Sequence, residues 1–284
     1  MLNALTIDVE DWYHPELVRH HLSDEQRESH IVEPTQMLLS LLRDRQVKAT
    51  FFVVGEVVRR HPRLIEAIVA QGHELGCHGM SHRPLWDLTP DDFRRELQEF
   101  SATVEELVPG AKPVGFRAPT FSLDNRTRWA LGILNESGYG YDSSVFPARM
   151  PIYGVSGCPT APYRPSAEDV AIADENGPLV EFPMSVWSWA GLRVPVCGGF
   201  YLRALPFGFV SFCLRQINES RPFVIYVHPW EMYRGTPRLP LPLVTRFITY
   251  YNMDKMASRL CELVDRFRFA PMKSVLGEMG ELNL

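Results

Sequence analysis

Residues 5–15, LTIDVEDWYHP, run from a short apolar, β-prone stretch straight into three carboxylates within four positions, Asp8, Glu10 and Asp11. Like charges this close repel, and removing them from water raises the cost. Either they face open solvent or something cationic gathers them. On an extended strand, residues two apart share a face, so Asp8 and Glu10 point together. A turn directly after the strand would bring in Asp11 instead.

Working outward, strand-like and helix-like segments alternate. ALTID (4–8), KATFFVV (48–54), HELGCH (73–78), KPVGFRAP (112–119), LVEFPMSVW (179–187) and PFVIYVHPW (222–230) are β-rich. Between them, residues 33–46 predict a helix with Pro34 at its first position. Residues 55–72 place Leu64, Ile65, Ile68 and Val69 on one helical face. Residues 88–107 predict a helix capped by Thr89, with Pro90, Asp91 and Asp92 suiting its first turn. Residues 124–138 and 253–267 predict two more, the latter the last clear helix. Residues 146–177 lapse into Pro, Gly and small residues, as expected of a long surface excursion. About seven β-then-α units without internal repeats predict an α/β fold, a distorted (β/α) barrel of about seven parallel strands. One domain over 1–284 is expected, with 232–284 as a C-terminal extension packed on the barrel.

The chemistry-bearing residues fall at the ends of these strands. Asp8, Glu10 and Asp11 end the first, His78 the third, Arg117 the fourth and His228 a late one. In a parallel α/β barrel those ends converge on one face, where sites are built. His78 and His82 in CHGMSH are four apart, a spacing that on a helical turn aims both imidazoles at one cation. With a carboxylate from the first strand they form a two-His, one-carboxylate set that leaves a divalent metal open to water. Asp8 then serves as base, and the metal carboxylate is Glu10 or Asp11. Arg117 in GFRAPTF can fork onto Asp8 and keep it ionised. His228, closing the apolar run VIYV, is either a satisfied core side chain or a catalytic acid. Of the tryptophans near these segments, Trp230 is a candidate to stack on a sugar ring.

Composition narrows the classes. The 284 residues are 45% hydrophobic and 22% charged with net charge -5, so no basic stripe argues for nucleic acid. Five scattered cysteines without a CxxC pattern predict buried reduced thiols. No basic-then-apolar leader opens the chain, and no apolar run approaches the roughly 18 residues that span a bilayer, which makes the cytoplasm the expected location. No GxSxG, Walker A or GxGxxG pattern supports a serine hydrolase or nucleotide-binding protein.

In order, TIDVED (6–11), HGMSH (78–82), RAP (117–119) and IYVH (225–228) resemble the motifs of the polysaccharide deacetylases with the NodB homology domain, carbohydrate esterase family four. Gly79 stands where that family usually has Ser or Thr, and Val9 follows Asp8 where adjacent Asp residues are commonest. DVEDW, GYDSSVFP, GGFYLR and HPWE resemble a bacterial subgroup associated with exopolysaccharide assembly. The resemblance implies a divalent metal, usually Zn2+, held by His78, His82 and Glu10 or Asp11, and hydrolysis of an N-acetylated glycan to acetate and a free amino sugar. It further implies Asp8 as base, His228 as acid, and the Thr120 N–H as an oxyanion donor. Asp142 is expected to stand behind His228, with Glu181 the second choice, and residues 198–206, including Gly199 and Arg203, to meet substrate. A NodB-like amidase acting on a small cyclic amide, or a non-catalytic glycan-binding protein, are the competing expectations.

Overall fold

A computed structural model describes residues 1–282. Strand β1 (Leu2–Val9) is buried along almost its whole length, as a strand covered on both faces must be. It pairs in parallel with β2 (Thr50–Val53), followed by β3 (Glu74–Cys77), β4 (Gly115–Phe116), β5 (Tyr141–Asp142) and β6 (Val180–Glu181). An antiparallel hairpin, β7 (Val186–Trp189) and β8 (Leu192–Pro195), stands apart from this sheet. β9 (Val224–Val227) also pairs with β1, and β10 (Arg268–Ala270) pairs with its first residues. The path from β9 through β1 to β6 is the expected seven-strand curled wall. Between β6 and β9 the wall is irregular: the Tyr226 N–H donates to the Cys197 carbonyl at 2.8 Å, and Gly198 bridges to Tyr226.

Strand alternation sorts the core into two layers. Leu5, Ile7, Val9, Phe51, Val53, Ile225 and Val227 pack outward with the surrounding helices. Ala4, Phe52, Val224 and Tyr226 pack together inside the wall with Tyr141, Val180, Phe182 and Met184. The same parity carries Thr6, Asp8 and His228 inward. Below them, helix Met272–Glu278 closes the N-terminal end of the sheet, its first N–H groups donating to Thr50 Oγ1 at 2.7 Å and Glu74 Oε2 at 3.2 Å.

Several local expectations change. Residues 55–72 form two helices, Gly55–Arg60 and Pro62–Ala70, because Pro62 cannot donate into a continuing helix and restarts one. The helix expected from residue 33 begins at Val32, so Pro34 is its third residue. Thr89 caps Pro90–Leu107 as predicted, in a reciprocal capping box with Asp92. The run 179–187 is not one strand: it divides between β6 and the start of the hairpin. β10 and helix Met272–Glu278 lie beyond the helix expected to be last, in a segment too short for periodicity to reveal. The 146–177 excursion has no helix, yet it buries Phe146, Val155, Cys158, Tyr163 and Val170, so it packs on the barrel rather than lying loosely over it.

Gly198 (φ 144°) illustrates how tightly the irregular wall closes. A Cβ there would sit 1.8 Å from the Tyr226 carbonyl oxygen. Gly198→Ala is expected to cost about 3 kcal/mol, since backbone rather than a side-chain tip must yield. Chemical denaturation of both proteins measures it.

Candidate metal and catalytic centre

Asp8, His78, Arg117 and His228 each sit within one residue of a strand's C-terminal end. Asp8 is the penultimate residue of β1. His78 follows β3, Arg117 follows β4 and His228 follows β9. Arg117 is wholly buried beneath the site, its guanidinium 4.3 Å from the centroid of the Phe52 ring. Its Nη1 donates to Asp8 Oδ1 and to Thr6 Oγ1, both at 2.7 Å, while Nε and Nη2 donate to the Ser143 carbonyl and hydroxyl at 3.0 Å. Four of the five N–H donors of the fork are used, and Asp8 is held from one side. Neither Thr6 nor Ser143 was legible as a support from sequence, because nothing in their spacing links them to Arg117.

The two imidazoles converge without a helix. Gly79 (φ 73°) and His82 (φ 57°) turn the 78–82 loop, which Glu96 braces by accepting the Met80 N–H at 2.9 Å together with the Ser81 hydroxyl. The helical-turn expectation for this pair is therefore corrected: two left-handed residues aim both rings inward. Gly79 fits the turn as glycine does. His78 Nδ1 lies 2.7 Å from the Arg117 carbonyl, which assigns the proton to Nδ1 and leaves the Nε2 lone pair free. Burial pushes His78 down to about 4, keeping it neutral.

Of the two carboxylates left open, Glu10 is the one that stands with the imidazoles. Glu10, His78 and His82 offer one ligand atom each, all within 4.8 Å of one another and all buried. Glu10 Oε2 contacts His82 Nε2, and the Trp230 indole N–H donates to Glu10 Oε1 at 3.3 Å. Burial alone would raise the Glu10 carboxyl, but His82, His228 and His78 hold it well below the usual range. Asp11 turns away. Its Oδ1 accepts the Trp12 and His30 N–H groups at 3.2 and 3.0 Å, pinning the loop after β1. The donor set of two neutral-capable imidazoles and one ionised carboxylate fits a divalent cation with open positions. His14 is an unforeseen neighbour: it stacks on His82 at 5.3 Å, oriented by the Asp11 N–H donating to its Nδ1 at 2.8 Å.

His228 is not a core histidine. Its Nε2 faces the cluster, 3.5 Å from Glu10 Oε1 and 4.0 Å from Asp8 Oδ2, while Nδ1 lies 3.0 Å from Glu231 Oε2. Burial would lower His228, but Glu231, Glu10 and Asp8 push it up to about 9. Asp142 does not stand behind His228, and neither does Glu181. Those two are direct partners across β5 and β6, because the strand that carries Asp142 lies on the far side of β4. Glu231 takes the role instead. Its signal was in HPWE: a proline-initiated turn with an acid three residues on is a capping box, and the His228 N–H donates to Glu231 Oε2 at 3.2 Å.

Arg203 is buried and does not reach into the cleft as a free cation. Nε donates to Glu231 Oε1 at 2.9 Å, and Nη2 to the Ile248 carbonyl at 3.0 Å, with Nη1 on the Tyr251 carbonyl. It therefore ties Glu231 to the C-terminal end of helix Leu243–Tyr250. Burial alone would raise Glu231, yet Arg203 and His228 hold it low. Gly199, Thr120 (φ 57°) and Trp230 line a cleft above the cluster, as do Phe121, Tyr153 and Phe200. Trp230 stacks on His228 at 5.4 Å.

Asp142 and Glu181 have their own consequence. Burial raises both carboxyls, and for Glu181 the Asp142 charge raises it further. The folded state thus keeps protons that the unfolded chain releases, so stability falls as pH rises above about 4.5, by at most about 1.4 kcal/mol per pH unit for each proton. Glu181→Gln is expected to flatten that slope, making the variant gain on the wild type between pH 5 and pH 8 in urea denaturation.

Among known proteins, residues 24–139 match the family model described as polysaccharide deacetylase. That part of the chain is similar to the polysaccharide deacetylases. Residues 143–277 match a second model described only as a domain of unknown function, DUF3473. Among relatives, the chitooligosaccharide deacetylase of Bradyrhizobium sp. is 38% identical over 30% of this chain and 39% of its own length. The peptidoglycan-N-acetylglucosamine deacetylase of Bacillus cereus is 32% identical over 35% of this chain and 36% of its own. The matched segments thus span little more than a third of these relatives. Among solved structures, a candidate polysaccharide deacetylase from Mycobacterium smegmatis aligns with TM-score 0.63 at 22% identity, covering 99% of this chain and 91% of that one. PuuE allantoinase aligns with TM-score 0.59 at 16% identity, over 99% of this chain and 92% of its own. These likenesses show the fold alone, since one fold hosts different chemistries.

Proposed function

We propose that this protein is a metal-dependent N-deacetylase that hydrolyses the acetamide of an amino-sugar-containing glycan to acetate and a free amine. The observation that carries this is the convergence of Glu10, His78 and His82 on one point, flanked by Asp8 and His228. Glu10, His78 and His82 would hold a divalent ion, with Zn2+ favoured by the two-imidazole, one-carboxylate set. Such an ion, when bound, polarises the amide carbonyl and makes water more acidic.

The chain's own residues supply the proton transfers. Asp8, fixed by Arg117 and Thr6, accepts the proton of the attacking water. The Thr120 N–H, on a residue that lines the cleft, donates to the developing oxyanion. His228, with Nδ1 held by Glu231, presents Nε2 to the cleft and delivers a proton to the departing amine. Trp230 and the apolar cleft wall pack against the sugar. The segments GYDSSVFP, GGFYLR and HPWE support a setting in bacterial exopolysaccharide assembly. A second activity, hydrolysis of a small cyclic amide, draws support from Ile152 and Tyr153, which bring the 146–177 excursion into the cleft wall.

Elemental analysis combined with acetate release from N-acetylated chitooligosaccharides tests the proposal. One bound divalent ion per chain and chelator-sensitive acetate release are expected. Allantoin hydrolysis without acetate release would favour the cyclic amide, and bound metal with neither activity a glycan-binding protein.

A further inference from the structure

Residues 232–253 carry three arginines and no lysine, aspartate or glutamate, within a chain of net charge -5. The middle of this stretch is helix Leu243–Tyr250. One side of that helix is anchored: Thr249 and Tyr250 are buried, and Tyr250 packs with Trp12, Trp230 and Met253. The side that carries Leu243, Val244 and Phe247 is bare. Leu243 is 75% exposed, Val244 72%, Phe247 50% and the following Tyr251 38%. Phe247 contacts Tyr251 and Phe200, with ring centroids 4.6 and 5.7 Å apart, and Phe200 lines the cleft. The apolar surface therefore runs unbroken from the cleft mouth onto the outside of the helix.

Arg246 is exposed on the same helix, and Arg234 and Arg238 are exposed just before it. None of the three makes an ion pair among the described residues. Apolar side chains beside unpaired arginines match an anionic lipid surface, where the apolar groups enter the headgroup boundary and the guanidiniums meet phosphate. A two-fold contact with a second copy would instead bring like arginine clusters face to face.

We propose that the Leu243, Val244, Phe247 and Tyr251 face, with Arg234, Arg238 and Arg246, docks on an anionic lipid bilayer and so sets the cleft mouth at the headgroups. No helix of the described residues is long and apolar enough to cross a membrane, consistent with surface attachment. The test needs no enzymatic activity, so its failure and that of the proposed function are separable.

The full chain is to be sedimented with phosphatidylcholine vesicles with and without phosphatidylglycerol. Binding only to the anionic vesicles, weakening with salt, is expected. At about fivefold per arginine, R234Q/R238Q/R246Q should lower partitioning about 100-fold. L243E/V244E should abolish it while keeping the wild-type melting temperature and metal content. The proposal fails if the wild type ignores anionic vesicles at low salt, or if L243E/V244E binds as well as the wild type. It also fails if the wild type is a dimer that L243E/V244E dissolves, which would make this face a contact between copies.

Discussion

Asp8→Asn is expected to lower acetate release by about 10²- to 10⁴-fold, the range for losing a positioned base, while metal content stays at the wild-type level. Asparagine keeps the shape and can still accept from Arg117 through its amide oxygen, but it cannot take a proton. The change also strips the charge from the only carboxylate that Arg117 touches among the described residues, and Arg117 is fully buried. Removing one partner of a buried pair costs about 3–5 kcal/mol. Because Thr6, Ser143 and the Phe52 face still hold the guanidinium, the expected stability loss lies at or below the lower end of that range. Acetate kinetics and thermal melts on the same preparation separate the two effects. If Asp8→Asn turns over at near wild-type rate with metal bound, Asp8 is not the base.

The second large effect concerns the array Arg203–Glu231–His228. Glu231→Gln leaves a hydrogen-bonding group behind His228 but removes its charge, and a loss of about 10- to 100-fold in kcat is expected, with KM little changed. Arg203→Met is harsher. It leaves Glu231 buried beside His228 without its guanidinium and leaves the Ile248 and Tyr251 carbonyls without a donor. The expected destabilisation is about 3–5 kcal/mol, with a kcat loss no smaller than that of Glu231→Gln. Arg203→Lys restores the charge but not the fork, so it should recover part of the stability and less of kcat. Equal kcat in Glu231→Gln and wild type would show that the carboxylate does not orient His228.

These two arrays differ in how far they could be read from the chain itself. Asp8, Arg117, His78 and His228 each end a recognisable apolar run, with His82 four residues after His78, and a parallel sheet brings such ends to one face. The Glu10 position was half legible: alternation along β1 pairs it with Asp8, yet a turn could equally have offered Asp11. The hydrogen bonds from Trp12 and His30 N–H groups to Asp11 decide between them, and His30 is nineteen residues away. Glu231 has a local signature in HPWE, a capping box, whereas the expected partner Asp142 lies on a different strand. Arg203 was singled out as a residue for substrate; its engagement with Glu231 and with the end of a helix some forty-five residues later has no trace in local spacing.

By itself the sequence determined the alternation of strands and helices, the parallel α/β class, the likeness to polysaccharide deacetylases, and that Asp8, Glu10, His78, His82, Arg117 and His228 gather above the sheet. It could do so because period-two burial and strand-end placement are local properties of the chain. Tertiary structure alone decided which carboxylate joins the imidazoles, which acid backs His228, and that Asp142 and Glu181 belong to each other instead. Those outcomes depend on which strands become neighbours and on how loops of left-handed residues aim their side chains, and neither is encoded within any short window of residues.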